Sequence, residues 1–234
     1  MKQVYEFLGK LHRHNNRDWF NAHKDDYLAA THTFNSFVQE LIEEVYKFDK
    51  DINPSTLSIK DCTYRIYRDI RFSKDKSPYK THMGAYLVRG GKKSNYSGYY
   101  FHIQPFSGSI AEESMMCVGA YMPDAKQIAS VREEIMLNGT PLLNSIKKAK
   151  GFYLYEENSL KRVPSGFNAI TDKELQRLLK LRQYLVMKSV TPEYIFKPNL
   201  AKRVANEFKK CYEFNSIINR CIEYAIEEGT NNKF

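Results

Sequence analysis

Apolar positions recur in threes and fours through the first fifty residues and predict two helical stretches. The first is a short amphipathic helix over residues 3–11. The second is a long one on which Trp19, Tyr27, Phe34, Phe37, Val38, Leu41, Val45 and Phe48 form one stripe. Between them, Asn15-Asn16-Arg17-Asp18 supplies an Asn to cap the second helix and an Asp for its first turn. Asn53-Pro54 closes the region. From Cys62 to Tyr121 the period drops to two. Runs at 62–72, 82–89, 97–104 and 114–121, separated by Gly, Ser, Pro and Lys, predict four antiparallel strands, with Gly90 to Asn95 as the clearest turn. Helices are then predicted from Pro123-Asp124 through Leu137, from Thr140-Pro141 through Ala149, over 172–180, and once or twice over 199–228. A strand is predicted over 182–189, and 152–155 is predicted to pair with 160–163 as a small hairpin. No repeat, linker or break in composition divides this order. It predicts a single α+β domain over residues 1–234, with a central antiparallel sheet of about four to six strands and helices packed mainly on one face.

Composition narrows the class. Of 234 residues, 42% are hydrophobic and 27% charged, as expected of a folded, soluble chain. No run reaches the roughly 18 to 20 apolar residues of a membrane span. Charge interrupts the N-terminal apolar residues, so no signal peptide is expected. Cys62, Cys117, Cys211 and Cys221 form no C-x-x-C pair, which predicts free thiols and a cytoplasmic location.

The formal charge of +9 is distributed unevenly. Between residues 60 and 93, ten Lys and Arg face three Asp and supply +7 of it, while the rest of the chain is nearly balanced. A charge gathered in this way suits the holding of an anion or of a carboxylate network. Read as a strand, 62–72 places Thr63, Arg65, Tyr67, Asp69 and Arg71 on one face. Cys62, Tyr64, Ile66, Arg68, Ile70 and Phe72 lie on the other, which reads as the core face. The same alternation in later runs adds Tyr86, Tyr100, His102 and His82 to the polar face. Two arginines beside Asp69 favour its carboxylate, whose natural role is then to orient the guanidinium groups. Arg68, alone among apolar neighbours, reads as structural.

The anion-binding candidates are Arg65, Asp69, Arg71, Lys76, Tyr79 and Lys80, in which guanidinium forks match carboxylate or phosphate and the lysines add mobile charge. For acid–base chemistry the candidates are His82, His102 and Tyr79. His12, His14, His23 and His32 show no ligand spacing, so no metal site is expected. No phosphate-binding glycine loop, nucleophile elbow or dinucleotide fingerprint occurs, and no cofactor is indicated. Residues 160–167 form a second cationic segment, read either as a flap over an anion or as a solvated hairpin end.

The string Arg65-x-x-Arg68-Asp69-x-Arg71-Phe72-x-x-Asp75-Lys76-x-x-Tyr79 resembles the signature of a bacterial family called domain of unknown function 2461. Asn15 to Phe20, Gly119 to Pro123 and Lys161 to Phe167 extend the resemblance over most of the chain. It implies a single-domain protein with family-defining Arg, Asp, Lys and Tyr positions, and no assigned activity. Three functions compete on these residues. The first is a pocket for a phosphorylated or carboxylated small molecule, as enzyme or as receptor. The second is a structural or partner-binding domain in which the motif is an ion network. The third is a nucleic-acid-binding module, against which Asp69 and Asp75 interrupt the basic run.

Overall fold

The computed structural model describes residues 1–105 and 113–231, with side chains described to 228. Nine helices and five strands occur among them, about half of the residues being helical. The strands are β1 (Met83–Leu87), β2 (Gly98–Ile103), β3 (Met115–Ala120), β4 (Tyr153–Leu154) and β5 (Tyr184–Ser189). They form an open antiparallel sheet in the order β1-β2-β3-β5-β4, and the fold is α+β. Backbone contacts separate two compact units. One comprises Met1–Lys93, Tyr100–Met116 and Ser189–Asn206; the other comprises Ser94–Tyr99, Cys117–Lys188 and Glu207–Phe234.

The first unit opens with α1 (Lys2–Arg13), which buries Val4, Phe7, Leu8 and Leu11 at helical spacing and packs on α3 (Lys24–Tyr46). α3 in turn buries Ala30, Phe34, Phe37, Val38, Leu41, Ile42 and Val45. The stripe expected to be continuous from Trp19 is broken, because Trp19 lies in a separate short helix, α2 (Arg17–Ala22). Asn16 caps α2 by accepting the Trp19 N–H at 2.9 Å, with Asp18 in the first turn. His23 ends it at φ −116°, ψ 30°. There the His23 ring stacks on Trp19 with centroids 4.1 Å apart, and Nδ1 lies 2.8 Å from the Trp19 carbonyl, which locks the break.

Residues 62–72 do not form the expected strand. After the one-turn helix α4 (Ile59–Cys62), only Thr63 and Tyr67 make single bridges, to Ala85 and Tyr79. The segment instead rises as one arm of a loop whose other arm is 78–80. The Arg68 N–H donates to the Pro78 carbonyl at 2.9 Å and the Lys80 N–H to that of Ile66 at 2.8 Å. The two faces expected from alternation dissolve accordingly. Cys62 and Ile66 are buried, but Tyr64 is exposed and Phe72 is 96% exposed.

In the second unit, Asp124 opens α5 (Ala125–Lys148) with a capping box to Gln127. The two helices expected there meet at Asn138, whose φ −157° and ψ 61° break the helix before Pro141. α5 packs on α6 (Lys173–Leu179) and on α9 (Tyr212–Asn231). The hairpin expected between 152–155 and 160–163 is replaced by pairing of β4 with β5, Tyr153 opposite Met187 and Leu154 opposite Val186. Leu160 turns away to donate its N–H to the Lys180 carbonyl at 2.8 Å, while Glu156 pairs with Arg177 through both carboxylate oxygens. Gly119 in β3 has φ +136°, and a Cβ there would come within 2.0 Å of the Tyr184 carbonyl oxygen, so only glycine fits. After β5 the chain returns to the first unit through α7 (Pro192–Phe196) and most of α8 (Leu200–Lys209). α7 was not anticipated, although Thr191 caps it and Pro192 occupies its first position.

Candidate functional site

The motif divides into a tip, an arm and a base, and its charges do different work in each. At the tip, two aspartates make Asx turns, each accepting the N–H two residues on: Asp69 from Arg71 at 3.3 Å and Asp75 from Ser77 at 2.9 Å. Asp69 also receives both ends of the Arg71 fork, Nε at 2.9 Å and Nη2 at 2.7 Å. Arg71 and these hydrogen bonds hold the Asp69 carboxyl below its ordinary range. Lys76 Nζ donates to the Ile70 carbonyl at 3.1 Å. Arg68, three-quarters buried, runs inside the loop. Its guanidinium pairs with Asp75, donates to the Ser77 carbonyl at 3.2 Å, and reaches Ser73 Oγ at 3.3 Å. Asp69, Arg71, Asp75 and Lys76 are thus partnered within the loop itself.

At the base, cations meet without such partners. Lys80 Nζ lies 5.4 Å from the centre of the Tyr64 ring and Lys92 Nζ 6.0 Å from it. Burial and then Arg65 push the Lys80 ammonium below its ordinary pKa, the response expected of a cation crowded by another. Lys92 acts on the Asp61 carboxylate, but only weakly. That carboxylate is taken up by Ser58, through Oγ at 2.6 Å and N–H at 3.0 Å, and Lys92 Nζ is drawn to the Lys60 carbonyl. Arg65 makes no hydrogen bond or ion pair with any described residue.

Arg65 and Tyr64 line a cleft of about 250 Å³. One wall is the face of α3 that 3.6-residue spacing assembles from Tyr27, Thr31, Phe34 and Asn35. Lys60, Thr63 and Ile66 from the arm, with His82 and Met83 entering β1, complete it. Behind it, the His82 ring lies on that of His102, with centroids 5.2 Å apart at 30°. The Glu113 carbonyl accepts from His102 Nε2 at 2.7 Å, so Nδ1 is the unprotonated nitrogen that takes the Tyr100 hydroxyl at 3.0 Å. Gly84 admits that hydroxyl, since a Cβ there would stand 2.7 Å from it. Burial pushes both imidazoles down to about 4, aided at His82 by His102 and Lys80, so both are neutral at pH 7. Of the polar face expected from alternation, His82, Tyr100 and His102 thus lie together and His82 shares the cleft with Arg65, whereas Tyr67 lines another cleft and Asp69 and Arg71 pair at the tip.

Tyr79 belongs to a second cleft, of about 340 Å³, lined by Arg17, Asn21, Tyr67, Arg68, Ile70 and Pro78. Its ring is stacked on Phe20 at 4.0 Å and 14°. Asn15 clamps its backbone from both sides, accepting the N–H at 3.1 Å and donating to the carbonyl at 2.9 Å. Burial, then Tyr67, raises the Tyr79 phenol above its ordinary pKa. Sequence reasoning did not single out Asn35, Lys60 or Tyr64 for the first cleft, nor Arg17 or Asn21 for the second. For Asn35 a signal existed: with Thr31, one turn before it, it interrupts the apolar stripe of α3 beside Phe34.

No group of three or more His, Cys, Asp or Glu among the described residues could hold a metal ion, and no described helix is long and apolar enough to cross a membrane. These features define an α+β protein with a self-paired basic loop above a cation-lined cleft. The chain belongs to the conserved hypothetical protein family DUF2461, whose model matches residues 3–216. No curated protein and no solved structure matches it.

Two predictions follow from the loop and the histidine pair. Arg68→Ala should lower the melting temperature by several degrees, since it removes a mostly buried guanidinium and leaves its three partners without their donor, whereas Arg71→Ala should leave it within about one degree, because an exposed ion pair contributes little. Equal effects in thermal unfolding would contradict this division. The histidines set a pH dependence. Their folded pKa values lie below the unfolded value of about 6.5, so the stability they confer is complete above that pH and is lost as pH falls toward about 4. Unfolding free energy measured by urea titration should decline across that window, and less steeply in His82→Gln.

Proposed function

We propose that the protein binds a small phosphorylated or carboxylated molecule in the cleft lined by Lys60, Arg65 and His82, with Lys80 and Lys92 flanking it at Tyr64. One contrast carries the reading: Arg65 makes no hydrogen bond or ion pair with a described residue, whereas Arg68, Asp69, Arg71, Asp75 and Lys76 of the same motif each make at least one. Arg65 and Lys80 repel each other, and a bound anion relieves that repulsion. The size of the cleft suits a metabolite, since about 250 Å³ lies just below the range of drug-sized pockets. A structural role is favoured for the loop tip alone, on the strength of the Arg68–Asp75 pair inside it.

Thermal-shift titration at low salt tests the proposal with phosphate, sulfate, citrate and single-stranded oligonucleotides. A ligand at about a hundred times its Kd stabilises by roughly 2.7 kcal/mol, enough for a clear shift. Phosphate or citrate should raise the melting temperature. Arg65→Ala and Lys80→Ala should each abolish the shift, and Arg71→Ala should preserve it. Absence of any shift, or a shift with oligonucleotides alone that collapses with salt, would overturn the proposal.

A further inference from the structure

The cleft holds more than cations. Asn35 and His82 both line it, and neither side chain hydrogen-bonds to any described residue. An unpaired amide offers two donors and an acceptor, and a neutral imidazole offers one of each. Polar groups left unmade by the protein in a partly enclosed cleft are placed for a ligand or for water. His82 is fixed in position by its stack on His102, whose two nitrogens are themselves committed to Glu113 and Tyr100. Asn35 is fixed by the helical backbone of α3, one turn beyond Thr31. Tyr27, Phe34, Ile66 and Met83 supply the apolar surface between these groups. A bare oxyanion would satisfy Arg65 and leave Asn35 and His82 unanswered.

We infer that the ligand of this cleft is a small hydroxylated anion, a phosphorylated or carboxylated polyol whose anionic group lies on Arg65 and whose hydroxyl groups meet Asn35 and His82. This rests on the anion-binding reading above and deepens it from charge to ligand class. A hydroxyl both donates and accepts, so it answers the mixed character of an amide and an imidazole, as a second charge would not. The neutrality of His82 serves the same end, since an imidazolium would offer donors alone.

Matched three-carbon pairs test this by isothermal titration of the full chain: glycerol 3-phosphate against propyl phosphate, and glycerate against propionate, with inorganic phosphate as the reference. Two added hydrogen bonds of ordinary net strength predict an affinity ratio of at least roughly tenfold for the hydroxylated member. The pair that shows it identifies phosphate or carboxylate as the anionic group. Asn35→Ala and His82→Leu should each bring the ratio toward one, whereas Arg71→Ala, at the tip of the loop, should leave it unchanged. Equal affinities within each pair, with inorganic phosphate still bound, would overturn this inference and leave the anion reading standing. A ratio untouched by either variant would likewise overturn it. Failure of inorganic phosphate and of all four compounds to bind would remove both.

Discussion

The guanidinium of Arg68 lies inside the loop it closes, and what the basic segment has left for a ligand depends on that. Its ion pair with Asp75 and its hydrogen bonds to Ser77 and Ser73 tie residues 69–77 to the arm they spring from. Asp75 accepts from Arg68 and Ser77 together, and this keeps its carboxyl well below the usual carboxylate range. With Asp75 spent on Arg68 and Asp69 on Arg71, the two carboxylates in the loop are used before they can neutralise Arg65 or Lys80. The net charge read from the sequence is thereby partitioned: the tip is internally balanced except for Lys74 and Lys76, and the rest of the surplus stands at the base.

The base is electrostatically unusual for the same reason. Lys80 is partly buried beside Arg65, and His82 is partly buried beside His102 and Lys80, so each favours its less charged form. A structure built only for stability would place a carboxylate there, since pairing removes such repulsion at little cost. Strain of this kind is more common where a ligand completes the charge balance.

Much of the scaffold was legible in the sequence, and the reasons are physical. Helical stripes are redundant signals, and those of α1 and α3 were read from repeated apolar positions; a cap needs only one side chain, so an Asn cap before α2 and a helix start at Pro123-Asp124 were visible too. Strands β1, β2, β3 and β5 were read from period-two alternation close to where they occur. Alternation misled at 62–72, because a loop arm with two single bridges imposes the same period locally as a strand. The contrary signal was present in Asp69 and in Asp75-Lys76-Ser77-Pro78, a run that favours Asx turns over a continuing ladder. The partner of β4 was not legible, since pairing between segments thirty residues apart leaves no local trace. For the same reason Arg65 and Lys80 could be named from the sequence, but Asn35, a helix away, could not be joined to them.

The central claim is spatial: an anion belongs at the base of the loop and not at its tip. A crystal structure of the protein grown in ammonium sulfate or phosphate tests it most directly. The account predicts an oxyanion within hydrogen-bonding distance of the Arg65 guanidinium, in the cleft shared with Asn35 and His82, with Arg71 still paired to Asp69. An oxyanion held by Arg71 and Lys76, with the base of the loop occupied by water alone, would contradict it.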